Sequence, residues 1–374
     1  MLYKDFQGKK LSALGFGCMR FPTLNGDSGQ IDEPAVRAMV RRAVDAGINY
    51  YDTAWVYHKG NSERVISEAL RDYPRESYYL ATKLSAFEAE VCRDAAKYFE
   101  QQLATCGTDY FDFYLLHCVQ EENIDWYLSK EYGVIEYLKA QKAAGRIRHL
   151  GFSCHCSLGT LERMLDECGE DIEFCQIELN WYDWSYQRAA DKVALLQSRN
   201  MPIWVMEPLR GGKLAELSAE DTEALKNLRP DEGIPAWGFR FLQSLDGIGM
   251  ILSGMSSMEQ LEDNLKTFET NAPLTDTERD TLLSVAERMI AGGTVPCSAC
   301  RYCCEGCPAG LEIPALIKLY NDHILTKDDP LPADAFRELA GPADCLACQN
   351  CERHCPQGIR ISEVMAAFAA KLEG

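Results

Sequence analysis

Through its first 290 residues the chain alternates short apolar runs with amphipathic stretches at a regular interval. The apolar runs fall at 14–19, 49–52, 78–83, 111–117, 149–153, 174–178, 202–206 and 249–253, and each is short enough for a strand buried on both faces. Between them lie helical periods. Residues 33–46 place apolar side chains at 36, 39, 40, 43 and 44, and residues 91–106 repeat the pattern. Eight strand–helix units of about 30 residues each predict a (β/α)8 TIM barrel. The rival doubly wound sheet would be expected to carry a Gly-x-Gly-x-x-Gly turn between strand and helix, and none is present. A hairpin around Gln7-Gly8-Lys9 is expected to close the barrel bottom.

The pattern changes at Ala291-Gly292-Gly293-Thr294-Val295-Pro296, which reads as a linker. The expected division is therefore a barrel over 1–290 and a small, mainly helical domain over 291–374. The second part writes one cysteine phrase twice: Cys297, Cys300, Cys303, then Cys307-Pro308; and Cys345, Cys348, Cys351, then Cys355-Pro356. Three thiolates spaced by two residues suit one face of a 4Fe–4S cubane, with the fourth, before proline, ligating the other cluster. A zinc ribbon needs only paired Cys-x-x-Cys, so the third cysteine and the repeated Cys-Pro ending argue against zinc. Two 4Fe–4S clusters are expected, in crossed sets: Cys297, Cys300, Cys303 and Cys355; Cys345, Cys348, Cys351 and Cys307. Helical patterning at 314–323 and 333–339 separates the runs, and 361–372 reads as a closing helix. This spacing resembles the α-helical type of two-cluster ferredoxin domain.

Composition narrows the setting. The 374 residues are too many for one ordinary domain, and 47% hydrophobic content supports a sizeable core. A net charge of −19 makes nucleic acid or an anionic membrane face an improbable partner. The start, Met1-Leu2-Tyr3-Lys4-Asp5-Phe6, lacks the basic and apolar regions of a signal peptide, and no apolar stretch approaches membrane-spanning length. Clusters and free thiols together favour the cytoplasm.

Active sites of such barrels sit where strands end. Asp52 and Tyr57 follow the second strand, Lys83 ends the third and His117 ends the fourth. Each alone reads as a cap, a pocket wall, a rim charge or a hydrogen-bonding core residue. Together they form a set for carbonyl reduction. A tyrosine hydroxyl donates poorly near neutral pH, an adjacent ammonium is expected to lower its pKa, Asp52 can hold that lysine, and His117 can bond the developing oxyanion.

With these four residues the chain resembles the aldo-keto reductase family over 1 to about 285, and they match its Asp–Tyr–Lys–His tetrad in order and spacing. The resemblance implies nicotinamide-dependent hydride transfer with a small carbonyl or alcohol. It implies a cofactor site at Gly17 and Met19 in the first strand turn, Asp52, Ser153 and Gln176 at the carboxamide, and Met206, where many relatives place an aromatic ring. Glu207, Pro208, Leu209 and Gly211 match the pyrophosphate loop. Ser253, Gly254, Met255, Ser256, Gln260, Asp263 and Asn264 match the adenosine end. Asn180 follows the carboxamide segment. That adenosine end offers no cation, so Arg210 is the nearest expected partner for a 2′-phosphate, and NADP(H) is expected over NAD(H) by a small margin.

The two halves do different chemistry, since hydride moves two electrons and a 4Fe–4S cluster moves one. The leading expectation is a reductase whose clusters are structural or docking elements. The alternative has the clusters relay electrons between a ferredoxin-like partner and the barrel. A nicotinamide sensor is a third reading, disfavoured by the intact tetrad. Cys154-His155-Cys156 reads as buried cysteines around a pocket histidine. Cys304 reads as a bystander to Cys303, and Trp181-Tyr182-Asp183-Trp184 as loop packing or pocket wall.

Overall fold

The computed structural model describes residues 1–295, 297, 303–304, 306–326, 340–355 and 358–373. Eight parallel strands close into a barrel: β3 (Leu14–Gly17), β4 (Tyr50–Asp52), β5 (Tyr79–Leu84), β6 (Phe111–Val119), β7 (Ile147–Cys154), β8 (Phe174–Glu178), β9 (Ile203–Met206) and β10 (Ile248–Gly254). They pair in sequence order, and β10 closes the ring against β3. An antiparallel hairpin of β1 (Tyr3–Phe6) and β2 (Lys9–Ser12) precedes them, turning through Gln7 and Gly8 at positive φ.

Alternation along each strand gives the barrel its vertical order. Tyr50, Ala81, Phe113, Phe174, Trp204 and Met250 form one buried cluster, and the hairpin adds Phe6 and Leu11 to it. Phe6 meets Phe113, Phe174 and Trp204 with ring centroids 5.8, 6.3 and 4.9 Å away, so the lower end is plugged with aromatic rings. Gly151 makes room for this layer, because a Cβ there would lie 2.4 Å from the Phe174 ring. Two residues further along the same faces stand Asp52, Lys83, Ser153, Gln176 and Met206, and His117 ends the corresponding face of β6. The polar layer is thus set by strand register.

Local signals fix the surrounding helices. The helix Glu33–Asp45 begins at Asp32, whose side chain accepts from Ala35 N, and buries Val36, Met39, Val40 and Ala43. The predicted helix over 91–106 is two, Ala89–Arg93 and Ala95–Cys106, because Asp94 leaves helical geometry; Gly107, left-handed at φ 60°, ends the second.

Beyond the barrel, helices Ile313–Thr326 and Ile361–Glu373 share a second core of Leu316, Ile317, Tyr320, Met365 and Phe368. The helix expected at 333–339 lies outside the described residues. The expected linker is anchored, with Thr294 and Val295 both buried. Tyr182 Oη donates to Thr294 Oγ1 at 3.2 Å, Tyr186 Oη donates to Val295 O, and Asn321 Nδ2 donates to both Tyr186 Oη and Val295 O. The rim after β8 therefore holds the second core directly. Among the described residues no helix is long and apolar enough to cross a membrane.

Candidate active site and cluster-binding cysteines

Lys83 is fully buried, and its Nζ donates to Asp52 Oδ1 at 2.5 Å and to Thr53 O at 2.6 Å. Burial alone would lower the lysine pKa, but Asp52 and Tyr57 outweigh it and the net shift is upward. Nζ lies 4.8 Å from the centre of the Tyr57 ring, which meets the His117 ring edge-on at 5.6 Å. The four residues expected to act together are thus brought together. One expectation is corrected. Burial pushes the Tyr57 hydroxyl up, and although the Lys83 charge opposes this, the net pKa is raised rather than lowered. The phenol is firmly protonated in the cofactor-free protein, as a proton donor must be. His117 is driven well below the ordinary histidine range by burial, then by Lys83 and His155, so its imidazole is neutral. Its Nδ1 lies 2.5 Å from Ser85 Oγ, leaving Nε2 for a ligand. A register shift in β6 and positive φ at Cys118 aim His117; Ser153 Oγ takes the Cys118 N–H at 2.8 Å.

The expected cofactor contacts extend from this polar layer along the rim. Gln176 is buried, with Nε2 3.6 Å from Met206 Sδ and Oε1 unpartnered, so a free acceptor awaits a donor at the expected carboxamide position. Gly17 leaves space where a Cβ would come 3.1 Å from Ser253 O. Met19, Glu207, Gly211, Gly254, Ser256, Gln260 and Asp263 are exposed, and Gly17 is partly so. Other expected contacts stand behind them. Met255 is fully buried, Asn264 donates to Ser253 Oγ, and Pro208 and Leu209 pack toward Gly238. Asn180 braces the rim by donating to Asp183 Oδ2 and Glu207 O.

The sequence reading missed Arg20. It is exposed, its backbone O accepts from Ser256 Oγ at 2.9 Å, and its Nη2 would be 2.7 Å from a Cβ at Gly211. It therefore spans the loops expected to meet the pyrophosphate and the adenosine, with no ion-pair partner among the described residues. Its signal was a cation three residues beyond the end of β3, unreadable until β10 lies beside β3. Arg210 is the converse case. Only 9% exposed, it donates from Nε to Asp183 Oδ2 at 3.1 Å, lies over the rings of Tyr182 and Tyr186 at 5.2 and 5.5 Å, and approaches Asp322 of the second core at 3.8 Å. It joins the two parts and is not free for a 2′-phosphate.

In the second core one pocket is lined by Cys307, Cys345, Cys348 and Cys351 among Leu311, Ile313 and Ile361. The Leu311 N–H donates to Cys307 Sγ at 3.4 Å. Four thiols in an apolar pocket with a backbone amide on sulfur suit a 4Fe–4S cluster. Cys297, Cys303 and Cys355 pack on the same core, and Cys300 lies outside the described residues.

Residues 13–287 match the aldo/keto reductase family, and residues 296–359 match a 4Fe-4S dicluster domain. The chain belongs to the aldo/keto reductase family. It is an oxidoreductase of that class with an iron–sulfur domain at its C-terminal end. Among curated relatives it is 25% identical to L-galactose dehydrogenase of Arabidopsis thaliana over 279 residues, covering 69% of this chain and 84% of that one. An uncharacterized oxidoreductase of Bacillus subtilis (strain 168), YqkF, is 23% identical over 287 residues, covering 68% and 87%. An aldo-keto reductase from Bacillus halodurans, in its holo form, superposes with TM-score 0.59 at 25% identity over 74% of this chain and 93% of that one. One from Klebsiella pneumoniae in complex with NADPH gives TM-score 0.62 at 21% identity, over 76% and 96%. Those likenesses cover the barrel-sized part of the chain.

Proposed function

We propose that residues 1–290 catalyse reversible hydride transfer between NADP(H), in preference to NAD(H), and a small carbonyl or alcohol. The observation that carries this reading is the buried Lys83–Asp52 pair set against Tyr57, with neutral His117 on its far side. When bound, the nicotinamide supplies or accepts the hydride at carbon. Gln176 Oε1 and Ser153 would orient its carboxamide, and Gly17 and Gly254 give its backbone-side approach. Tyr57 Oη delivers the proton to the carbonyl oxygen, and His117 Nε2 bonds that oxygen as charge develops. Lys83 steadies the phenolate left behind, which is reprotonated from solvent. The test is anaerobic NADPH oxidation against a panel of carbonyls, wild type against Tyr57→Phe. Activity surviving in the variant would refute the assignment.

Residues 291–374, in the same proposal, hold two clusters in the crossed sets Cys297, Cys300, Cys303 and Cys355, and Cys345, Cys348, Cys351 and Cys307. Such clusters supply single-electron transfer when bound. The shared pocket of Cys307 with Cys345, Cys348 and Cys351 supports the crossing. Iron and sulfide should each approach about eight per chain. A second reading, in which the clusters relay electrons between a ferredoxin-like partner and the barrel, is favoured by the junction of Tyr182, Tyr186 and Arg210 with the second core at the catalytic rim. NADPH bleaching of the cluster absorbance would select it. Both readings suit the cytoplasm.

A further inference from the structure

Three consecutive strands end in side chains that the hydride mechanism does not use. His155 follows the last residue of β7, Glu178 is the last residue of β8, and Glu207 follows the last residue of β9. Their ligating atoms all lie within 4.8 Å of one another, and His155 Nδ1 is 3.3 Å from Glu178 Oε2. We propose that these three residues bind one divalent cation of the Mn2+, Fe2+ or Zn2+ class at the rim of the barrel.

Glu178 and Glu207 stand side by side, and their carboxylate oxygens converge with a ring nitrogen of His155. Behind Glu178 lies a third carboxylate, Asp183, fully buried. One of its oxygens, Oδ2, is taken by Asn180 and Arg210, while the carboxyl group also shares a hydrogen bond with Glu178. Arg210 is committed to Asp183, and Arg20 forms no ion pair with Glu207 among the described residues. Among the described residues His155 is the one ion-pair partner of Glu178, and Glu207 has none, so two carboxylates and one imidazole converge at the rim.

Geometry and donor chemistry select the ion. Two ligands on one such ion, each bound at about 2.1 Å, stand at most about 4.2 Å apart. The present spread thus closes by less than about an ångström, within reach of rotamer adjustment. Cys154 and Cys156 flank His155, but strand alternation buries both thiols on the opposite side, away from the carboxylates. The donor set is nitrogen and oxygen without sulfur, which suits Mn2+, Fe2+ or Zn2+ and disfavours Cu(I). A substrate ammonium fits less well, because an imidazolium at His155 would repel it, whereas a metal displaces that proton. Three protein ligands leave positions open toward the mouth for a substrate carboxylate or hydroxyl.

The test uses full-length, cluster-loaded protein under anaerobic conditions, without nicotinamide or substrate, so it stands apart from the hydride-transfer assignment. Manganese(II) alone is titrated in, and free ion is counted by electron paramagnetic resonance. Wild type should bind one equivalent. His155→Ala and Glu207→Gln, both at partly exposed positions, should each weaken that binding at least tenfold. Glu262→Gln, which changes an exposed carboxylate paired with Arg42, should leave it unchanged. Absence of stoichiometric binding in wild type, or binding that survives either His155→Ala or Glu207→Gln, would overturn the three-ligand site.

Discussion

Lys83 keeps its charge without exposed surface because Asp52 and the Thr53 carbonyl replace the water it has lost. The arrangement makes Lys83 and Tyr57 unequal under mutation. Tyr57→Phe removes only the proton donor, so kcat should fall by about 100-fold or more while NADPH affinity changes less than about threefold. Lys83→Met leaves Asp52 buried and unpaired, so it should lower both activity and thermal stability, the latter visible by calorimetry. Arg20 yields a separate expectation. Arg20 has no ion-pair partner among the described residues and lies between the loops expected to hold the phosphates, so its replacement by alanine should weaken NADPH binding about tenfold, or about 1.4 kcal/mol, in a fluorescence titration. Arg210→Ala should leave that affinity within about twofold. The tetrad was legible in the sequence because strand ends and βα loops fix which residues reach a barrel mouth. The roles of the two arginines were not, since they depend on which neighbouring loop each guanidinium meets.

Among elements, strand periodicity carried most of the fold, because two-sided burial demands continuous apolar runs. The ends were less legible. Strands β6 and β7 extend past their apolar cores, and the bulge at Cys118 has no signature in composition. The hairpin was visible through its Gln-Gly turn, but its attachment was not. Glu173 makes that attachment, accepting from Gln7 Nε2, Lys142 Nζ and Leu150 N, with His149 Nδ1 3.0 Å away. Burial would raise the Glu173 pKa, yet these partners bring it from 4.5 down to about 2. A depressed carboxylate pKa means stability fully present above the unfolded value and lost as pH falls through the folded one. Glu173→Gln should therefore cost about 1–3 kcal/mol at pH 7, discounted for partial exposure. The difference from wild type should shrink between pH 4.5 and about 2, as followed by urea titrations with tryptophan fluorescence.

On the scale of the whole molecule, the Gly-Gly-Thr segment reads in the sequence as a linker. It is fastened, because Thr294 and Val295 present polar backbone and side-chain groups to Tyr182 and Tyr186, contacts 112 and 109 residues distant in sequence. Tyr186→Phe deletes the donor to Val295 O and leaves Asn321 with one partner fewer. A loss of about 1–3 kcal/mol in docking follows, and limited proteolysis should cut the linker faster while the cluster absorbance per iron is unchanged. The Phe6 plug has a larger consequence. With the far end stoppered, Tyr57 faces the opposite end of the barrel, and the rim there is the one that Tyr182 and Tyr186 fasten to the second core. On the proposed function, nucleotide and small reactant would come and go at that end, and loosening Tyr186 from Val295 is expected to alter the pace of departures before it touches the chemistry.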